Sequence, residues 1–360
     1  MPNIKPHCIG GFSECISIED DYKRLCCELE ELKRAGMMVV EHTGSQNPFT
    51  AHHWTVLKLL FLKMYVRDVY TPIIGRRYPY MVFIDLFAGT GLNAYENASF
   101  YIPGSTLIAW FYATYPFNKV YAVGYNKPRD NPEYVWLKRR LEWFIPRKRL
   151  NLLIGDANEK VNDIVKDLIN LGDKVKEELG GGLHFLVFID PNSHEVHWDT
   201  IKKLVELEKE GISGDFIILL QARMIAKLMG RIRSDPEKYY KASQELDLFF
   251  GVAEWKDFLS VKTELETKIL DLYISRLQKL KSKALVERID IELMRDIHYY
   301  LIYVTRETKS GSPYLDTVRW LKNFVERVDK KSIVDNAIRE ILGVKGAKIT
   351  DFMKTSSEVS

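Results

Sequence analysis

The chain has 360 residues, 46% of them hydrophobic and 28% charged, and a formal net charge of +3. This length and composition predict one large α/β domain with appendages, or two domains, and the near balance of charge does not by itself require a polyanionic partner. No run of about 18 apolar residues is present, which argues against a membrane span, and the N-terminus lacks the charged and apolar segments of a secretory signal.

All four cysteines lie in the first 27 residues. They are Cys8, Cys15, Cys26 and Cys27. A disulfide-stapled secreted fold would spread its cysteines along the chain, so we expect a cytoplasmic protein. The cysteines could hold zinc with His7 or His42, but none forms a C-x-x-C pair, and we therefore expect no metal. The many Lys and Glu residues beside four Gln are a feature of thermophile proteins.

Two helices are predicted before the first strand of the main sheet. In residues 18–35 apolar side chains recur at helical spacing, and Gly36 is predicted to end this helix. Cys26 lies on its apolar face, where a free thiol acts as a small hydrophobe. The second helix spans residues 50–69, with Thr50 as its N-cap and an apolar stripe that we expect to cover one edge of the sheet.

The stretch YMVFIDLFAGTGLN, residues 80–93, organises the rest of the chain. A continuous apolar run over residues 81–84 predicts a parallel strand that is buried on both faces. Asp85 ends the strand, and Gly89 and Gly91 then permit a sharp turn that brings the backbone close to a ligand. The spacing D-x-x-x-G-x-G differs from the dinucleotide fingerprint and from the phosphate loop.

Strands and helices alternate from residue 81 onward, which predicts a parallel sheet with crossover helices. Five strands are predicted at 81–86, 119–124, 150–154, 183–189 and 215–220. Helices are predicted from Gly104, over 133–144, 161–178 and 199–209, and through most of 221–282. Two further strands, at 284–294 and 297–305, would add an antiparallel edge, and helices follow at 314–328 and 332–342.

The predicted organisation has three parts. They are an N-terminal extension over residues 1–49, a main domain over 50–328 with a helical insertion at about 221–282, and a C-terminal helix and tail over 329–360. In a doubly wound sheet the ligand lies beyond the carboxyl ends of strands where the strand order reverses. The candidate site residues are therefore those that directly follow the first four strands.

The first strand and its turn resemble motif I of class I S-adenosylmethionine (SAM) methyltransferases. The resemblance implies SAM as cofactor, with its methionine part held by Phe87, Ala88, Gly89 and Gly91 and its ammonium group fixed by Asp85. The order of the following segments implies the doubly wound, Rossmann-like seven-stranded methyltransferase sheet, whose last strand is antiparallel, with helical additions. A strand-to-turn connection without a ligand is the alternative, because a glycine turn alone is a weak signal.

Two further cofactor positions follow from this resemblance. After the second strand, methyltransferases usually place an acid that binds both ribose hydroxyls, but here the residue is Asn126, whose amide offers one donor group and one acceptor. After the third strand, Asp156 stands where the family has an acid that accepts from the adenine amino group. The backbone N–H of Ala157 would meet a ring nitrogen. The alternative for Asp156 is a turn or helix-cap residue.

The segment after the fourth strand, IDPNSH, carries the candidate catalytic residues. It resembles the Asp/Asn-Pro-Pro-aromatic motif of methyltransferases that act on amino nitrogens, with Asn in place of the second Pro and Ser in place of the aromatic residue. The resemblance implies that Asp190, Pro191 and Asn192 hold the target amino group with its lone pair towards the methyl carbon, because positioning supplies much of the acceleration. His194 or His197 could act as a base or be a structural histidine.

A set of segments spread over residues 50–325 carries a more specific resemblance. They are Trp54 with Lys58, FIDLFAGTG at 83–91, Gly104-Ser105, FIDPNS at 188–193 with Trp198, FFG at 249–251, and YYLIYVT at 299–305 with Trp320. Together they resemble the three-Cys-motif partner protein family, which is similar to SAM-dependent methyltransferases and is named for a radical-SAM partner encoded nearby. The resemblance implies a methyltransferase-like fold, a radical-SAM partner protein and an unassigned substrate.

A basic and aromatic cluster follows the second strand. Its members are Lys138, Arg139, Arg140, Trp143, Phe144, Arg147, Lys148 and Arg149. Arginine beside exposed rings suits single-stranded nucleic acid, which makes nucleic acid a candidate partner. The alternative is a helix that buries Trp136, Leu137, Leu141 and Phe144 and leaves its cations in solvent.

Two functions from different classes fit these observations. The first is a SAM-dependent methyltransferase whose favoured acceptor is an amino nitrogen on nucleic acid. The second is a non-catalytic adaptor that keeps the methyltransferase-like fold and docks a radical-SAM type partner protein. The irregular segment at residues 190–193 and Asn126 favour the adaptor.

Overall fold

The computed structural model describes residues 14–95, 100–125, 132–261, 263–281, 283–294, 297–307 and 314–343. Cys8, Asn126 and the tail after residue 343 lie outside the described residues. Within those residues, no helix has both the length and the apolar character that a bilayer crossing requires.

The described residues form ten strands in two sheets. The strands are β1 Phe49–Ala51, β2 Tyr80–Asp85, β3 Leu92–Tyr95, β4 Tyr101–Pro103, β5 Lys119–Gly124, β6 Leu150–Ile154, β7 Leu183–Ile189, β8 Ser213–Leu220, β9 Ala284–Met294 and β10 Ile297–Arg306. The main sheet has seven strands in the order β6-β5-β2-β7-β8-β10-β9. β10 is antiparallel to both of its neighbours, whereas the pairs from β6 to β8 are parallel. This order and these directions confirm the predicted methyltransferase sheet.

Helices cover both faces of the main sheet. They are α1 Asp21–Thr43, α2 His53–Met64, α3 Thr71–Arg77, α4 Ser105–Tyr112, α5 Pro132–Phe144, α6 Ala157–Leu179, α7 Trp198–Glu206, α8 Ala222–Ser234, α9 Tyr240–Phe250, α10 Leu265–Leu280, α11 Tyr314–Arg327 and α12 Lys331–Ile341. Alternate β2 residues face opposite layers: Met81 and Phe83 join one apolar cluster, and Val82 and Ile84 join the other. This period of two explains why an unbroken apolar run forms a central strand.

The first helix is longer than the sequence predicts. Gly36 does not end α1, which continues to Thr43 and is closed by Gly44 at φ 93°. A Cβ atom built on Gly36 would lie 2.0 Å from the carbonyl oxygen of Tyr101 in β4. The glycine therefore serves close packing of α1 against β4 rather than helix termination.

The segment predicted as one helix over residues 50–69 is divided. Thr50 is not an N-cap but lies in β1, which pairs with β3 in a three-stranded sheet, and α2 begins at His53. A π-helical turn over Tyr65–Tyr70 then links α2 to α3. The small sheet brings Phe49 beside the turn that follows β2, a contact between segments too far apart for sequence periodicity to report.

Three of the four cysteines lie in the described residues, and two of these three are joined to each other. Cys15 and Cys27 form a disulfide, which ties the short 3₁₀ turn Glu14–Ser17 to α1. Cys26 packs partly buried against the apolar core, as expected for a thiol on the apolar helix face. Burial raises the pKa of the Cys26 thiol to about 11, with a smaller effect from the charge of Glu340.

We predict that Gly36→Ala lowers the free energy of unfolding by about 1–3 kcal/mol, because the new methyl group meets the β4 backbone and forces α1 to shift. Chemical denaturation followed by circular dichroism measures this change.

Gly230→Ala in α8 is the matched control, since a Cβ atom there meets nothing within 4 Å. Its improved helix propensity should leave stability unchanged or raise it by up to about 1 kcal/mol. Equal responses of the two variants would contradict the packing role of Gly36.

Candidate functional site

A cavity of about 1080 Å³ opens where the strand order of the main sheet reverses. Its walls include the turn after β2 and the segments after β5, β6, β7 and β8. Ligands of doubly wound sheets lie at this position. The volume reaches the upper end of the roughly 300–1,000 Å³ that holds one drug-sized ligand, so a cofactor and part of a second molecule have room.

The turn Phe87–Gly91 forms one wall of the cavity. Gly89 and Gly91 have φ values of 58° and 78°, a region that side-chain-bearing residues rarely adopt. A Cβ atom on Gly89 would also lie 2.6 Å from the ring of Phe49. The N–H of Ala88 donates to the carbonyl of Val123 at 3.1 Å, which joins the turn to β5.

Arg140 of α5 holds the end of this turn. Its Nη1 donates to the carbonyl of Thr90 at 2.7 Å, and its Nη2 donates to the carbonyl of Gln46. The side chain is fully buried, and burial, with the nearby charge of Arg139, lowers its pKa to about 10. Arg140 therefore belongs to the interior of the site and not to the predicted basic surface.

Asp85 lies beneath the start of the turn and does not line the cavity. Its carboxylate accepts hydrogen bonds from Ser105 Oγ at 2.5 Å, Thr106 Oγ1 at 2.7 Å and the Phe87 N–H at 3.2 Å. Burial raises its pKa to about 6 against these hydrogen bonds, and the charge of Asp190 adds to the rise. The structure thus places Asp85 where it fixes the turn and the start of α4 rather than where it meets a ligand.

One end of the cavity is formed after β5 and β6. Asp156 and Ala157 line it, and Asp156 also caps α6 by accepting from the Asn158 N–H at 2.7 Å. Its helix-cap role is therefore present, and a carboxylate retains capacity for further donors. Tyr125 and Glu133 line the same end. The sequence predicted a role for neither residue, because the ribose-binding acid was expected directly after the strand, at Asn126. Tyr125 precedes that position, and Glu133 lies in the first turn of α5.

The loop after β7 forms the opposite wall. Asp190 Oδ2 accepts from Lys58 Nζ of α2 at 2.5 Å, and the two side chains are only 22% and 10% exposed. Gln221, which is buried at the end of β8, donates to the carbonyl of Pro191 at 3.1 Å. Asn192 is exposed, and its N–H donates to Glu195 Oε2 at 3.0 Å. The predicted acceptor segment therefore lines the cavity with Asp190 in an ion pair.

His194 and His197 both line the cavity. His194 Nε2 lies 3.1 Å from Glu245 Oε2 of α9, and its Nδ1 lies 3.3 Å from Ser193 Oγ. These contacts link the loop after β7 to α9. The His197 N–H donates to Asn158 Oδ1 at 2.8 Å, which joins the same loop to α6.

Two aromatic rings that sequence reasoning left without a role also line the cavity. Trp54 and Tyr299 lie with ring centroids 6.0 Å apart and planes at 49°, and His52 stacks on Trp54 at 4.3 Å. Burial and the charge of Asp190 raise the pKa of Tyr299. Trp54 and Lys58 stand four residues apart in α2, a spacing that places both on one face and could have indicated a shared site.

The basic and aromatic cluster divides between surface and interior. Its exposed members are Lys138, Arg139, Trp143, Arg147 and Lys148. Leu137 and Leu141 are buried with Arg140, and Trp143 stacks on His42 at 5.6 Å while remaining 59% exposed. Both predicted features of this helix are therefore present: an apolar buried face and an exposed basic face with one large ring.

No protein-family model and no curated protein matches the sequence. Similar solved structures include LPL1258 from Legionella pneumophila str. Philadelphia 1, with 12% identity and a TM-score of 0.41 over 76% of this chain and 93% of that chain. Cofactor-bound Rv0187 from MTB has 11% identity and a TM-score of 0.35 over 76% and 89%. The O-methyltransferase TomG from Streptomyces achromogenes, crystallised with SAM, has 10% identity and a TM-score of 0.34 over 76% and 88%. Similarities of this extent carry no argument about function, and the fold assignment rests on the sheet order itself.

We predict a pH-dependent cost from Asp85. Because its pKa is higher in the folded protein than in the unfolded chain, the folded state binds the proton more tightly, and stability falls as pH rises from about 4 to about 6. The loss approaches about 3 kcal/mol at neutral pH. In Asp85→Asn this component disappears, which equilibrium unfolding at pH 4, 5, 6 and 7 will show as a flatter profile.

Asp173→Asn, which alters an exposed carboxyl of α6, is the control and should keep the wild-type profile. A profile of Asp85→Asn parallel to that of the wild type would show that Asp85 does not carry the buried charge.

Proposed function

We propose that this protein is a SAM-dependent methyltransferase. The observation that carries the proposal is one cavity at the strand-order reversal, with the glycine turn on one side and the Asp190 loop on the other. A turn without a ligand does not need a cavity of this size at the strand-order reversal, whereas positive-φ glycines occur in tight turns generally. The methyltransferase sheet order gives the same assignment at the level of the fold.

The residues at the cofactor end suit SAM. We assign the methionine part to the backbone of Phe87–Gly91, the adenine amino group to Asp156, and an adenine ring nitrogen to the Ala157 N–H. Glu133 lines the same end of the cavity. We assign its carboxylate to the two ribose hydroxyls, because the amide of Asn126 cannot accept from both of them as a carboxylate can. When bound, SAM supplies an electrophilic methyl group on a positively charged sulfur.

The residues at the other wall suit an acceptor held by hydrogen bonds. Asp190 and Asn192 would accept from the amino group of the acceptor and orient its lone pair. Lys58 fixes the Asp190 carboxylate through their ion pair. Trp54 and Tyr299 would supply the ring contact that the segment after β7 lacks. The pair His194–Glu245 offers the released proton a route to solvent, since Glu245 is 43% exposed.

An amino nitrogen on nucleic acid is the acceptor we propose. The exposed cations of α5 and the following turn precede and follow Trp143 in the sequence, and a face with cations and an exposed ring suits the phosphates and bases of a single strand.

The second candidate is a non-catalytic adaptor within the three-Cys-motif partner family, docking a radical-SAM type protein. The adaptor is favoured because two groups that would hold the methyl acceptor already have partners within the protein. Asp190 binds Lys58, and the Pro191 carbonyl accepts a hydrogen bond from Gln221. Both candidates predict SAM affinity, and only the enzyme predicts methyl transfer.

We predict that Glu133→Gln weakens SAM binding by about 10- to 100-fold, because a charged hydrogen-bond acceptor is lost. Isothermal titration calorimetry measures the dissociation constant. Glu142→Gln removes an exposed carboxylate from the same helix and should bind SAM as the wild type does. If titration of the wild-type protein with SAM produced no heat, both candidate functions would lose the premise that they share, which is that the protein binds SAM.

We further predict that Lys58→Met lowers methyl transfer about 100-fold and leaves SAM affinity within twofold, because the unpaired Asp190 moves and displaces the acceptor. The assay incubates methyl-labelled SAM with total RNA, DNA and protein. Lys63→Met is unsuitable as a control because Lys63 is fully buried. Lys174→Met removes an exposed amine of α6 outside the cavity and should leave both methyl transfer and SAM affinity within twofold of the wild type.

Labelling of one fraction that disappears in Asp190→Asn supports the enzyme. SAM affinity without labelling of any fraction supports the adaptor instead.

A further inference from the structure

The cavity has carboxylates at one end and two cations at the other, where Glu245 of α9 is also part of the lining. Glu133 and Asp156 stand after β5 and β6, where we place the cofactor. Lys227 and Arg231 stand on α8, which follows β8 three strands away across the reversal. A cationic sulfonium suits the first end. The second end suits an anion, because fixed charge of one sign in a cleft concentrates ligands of the other sign.

The cavity face of α8 is formed by Met224, Lys227, Leu228 and Arg231. The spacing of three and four residues places these side chains on one stripe of the helix. Lys227 and Arg231 are like charges at i and i+4, an arrangement that destabilises an isolated helix by about 0.2–0.5 kcal/mol. The helix therefore carries this pair at a small cost that an anionic ligand would offset.

The two cations of α8 outside this cavity are differently placed. Arg223 forms an ion pair with Glu266 at 2.5 Å, and Arg233 donates to the carbonyl of Val261 at 2.9 Å. Among the residues that the structure describes, neither the Lys227 ammonium nor the Arg231 guanidinium makes an ion pair or a hydrogen bond. Both are exposed at the cavity wall. Their charges are thus available to a ligand in the cavity.

Flat apolar surface lies in the same cavity. The rings of Trp54 and Tyr299 are too far apart and too inclined to stack on each other, and His52 supports one face of Trp54. Asp190 lines the same cavity as these two rings. A planar heteroaromatic ring with an exocyclic amino group matches this combination of ring faces and a carboxylate.

We propose, on the basis of the proposed function, that the acceptor is a nucleoside phosphate unit whose base lies against Trp54 and Tyr299 and whose phosphate binds Lys227 and Arg231. This assigns the acceptor site to the cavity itself, independently of the basic face of α5. The shared chemistry is a base joined to a phosphate, which either a free nucleotide or a single-stranded nucleic acid supplies.

The test measures binding, without methyl transfer. Fluorescence anisotropy with labelled 12-nucleotide single-stranded RNA and DNA gives the dissociation constant over a series of salt concentrations, and unlabelled mononucleotides compete in a second arm. In the double variant Lys227→Gln, Arg231→Gln, we expect affinity to fall at least tenfold and the slope of log K against log salt to shrink by about 0.7, the value for one phosphate of a single strand, because both cations bind the same phosphate.

The double variant Arg223→Gln, Arg233→Gln removes the same charge from the same helix outside the cavity and should leave the slope unchanged. Equal losses in the two double variants would show nonspecific attraction and would overturn the proposal. Trp54→Leu should weaken binding about tenfold without changing the salt slope, since stacking is not electrostatic. Unchanged affinity in Trp54→Leu would overturn the placement of the base.

The two arms and a SAM titration separate the possible failures. If mononucleotides compete at concentrations similar to those of the oligonucleotide, the ligand is a free nucleotide. If only oligonucleotides compete, the ligand is a single-stranded nucleic acid. SAM binding without nucleic acid or nucleotide binding would overturn this inference and leave the methyltransferase standing. Nucleotide binding that depends on Lys227 and Arg231, without SAM binding, would support the inference and overturn the proposed function.

Discussion

The turn after β2 is held by two buried charged groups, and the candidate site depends on both. Asp85 binds the Phe87 N–H at the start of the turn, and Arg140 binds the Thr90 carbonyl at its end. Neither charge has an ion-pair partner among the described residues, so neutral groups stabilise both. These are hydrogen-bonding partners for each charge and, for the Arg140 guanidinium, also the ring of Trp136 at 5.3 Å. Burial raises the pKa of Asp85 and lowers the pKa of Arg140, and both shifts favour the neutral form of the side chain. Burying these two charges lowers the stability of the fold, and their hydrogen bonds hold the turn in a defined shape. A ligand site requires such a shape, whereas a simple connection does not.

The strand order makes this fixed turn one wall of the candidate site. β2 lies between β5 and β7, so the turn has Asp156 and Ala157 on one flank and the Asp190 loop on the other. α2 then crosses from outside the sheet and contributes Trp54 and Lys58 to the Asp190 side. The cavity wall therefore carries carboxylates after β5 and β6, the Lys58–Asp190 ion pair, and the two cations of α8 with Glu245 of α9. In the proposed function, the first group serves a cationic cofactor and the cations of α8 serve an anionic acceptor.

Much of the fold could be predicted from the sequence because the buried strands are continuous apolar runs. β5, β6 and β7 have their predicted bounds, and the antiparallel position of β10 follows from the predicted strand pair. Gly36 was misleading, since a glycine required by a neighbouring strand looks like one that ends a helix. The small sheet containing Thr50 was missed because its pairs join distant segments.

The site was harder to predict than the fold. Strand ends correctly identified which segments meet at the cavity, because the carboxyl ends of parallel strands share one edge. The direction in which each side chain points was not predictable from the sequence. Asp85 points into the interior, where it accepts from hydroxyl groups of α4, and Arg140 is buried rather than part of the predicted basic surface. Lys58 reaches Asp190 across 132 residues of sequence, a contact with no local signal. The most direct test of the central claim is hydrogen exchange of the protein with and without S-adenosylhomocysteine. Slower exchange confined to residues 86–91 and 155–158 is the predicted result, and unchanged exchange at the glycine turn, with protection elsewhere or nowhere, would contradict it.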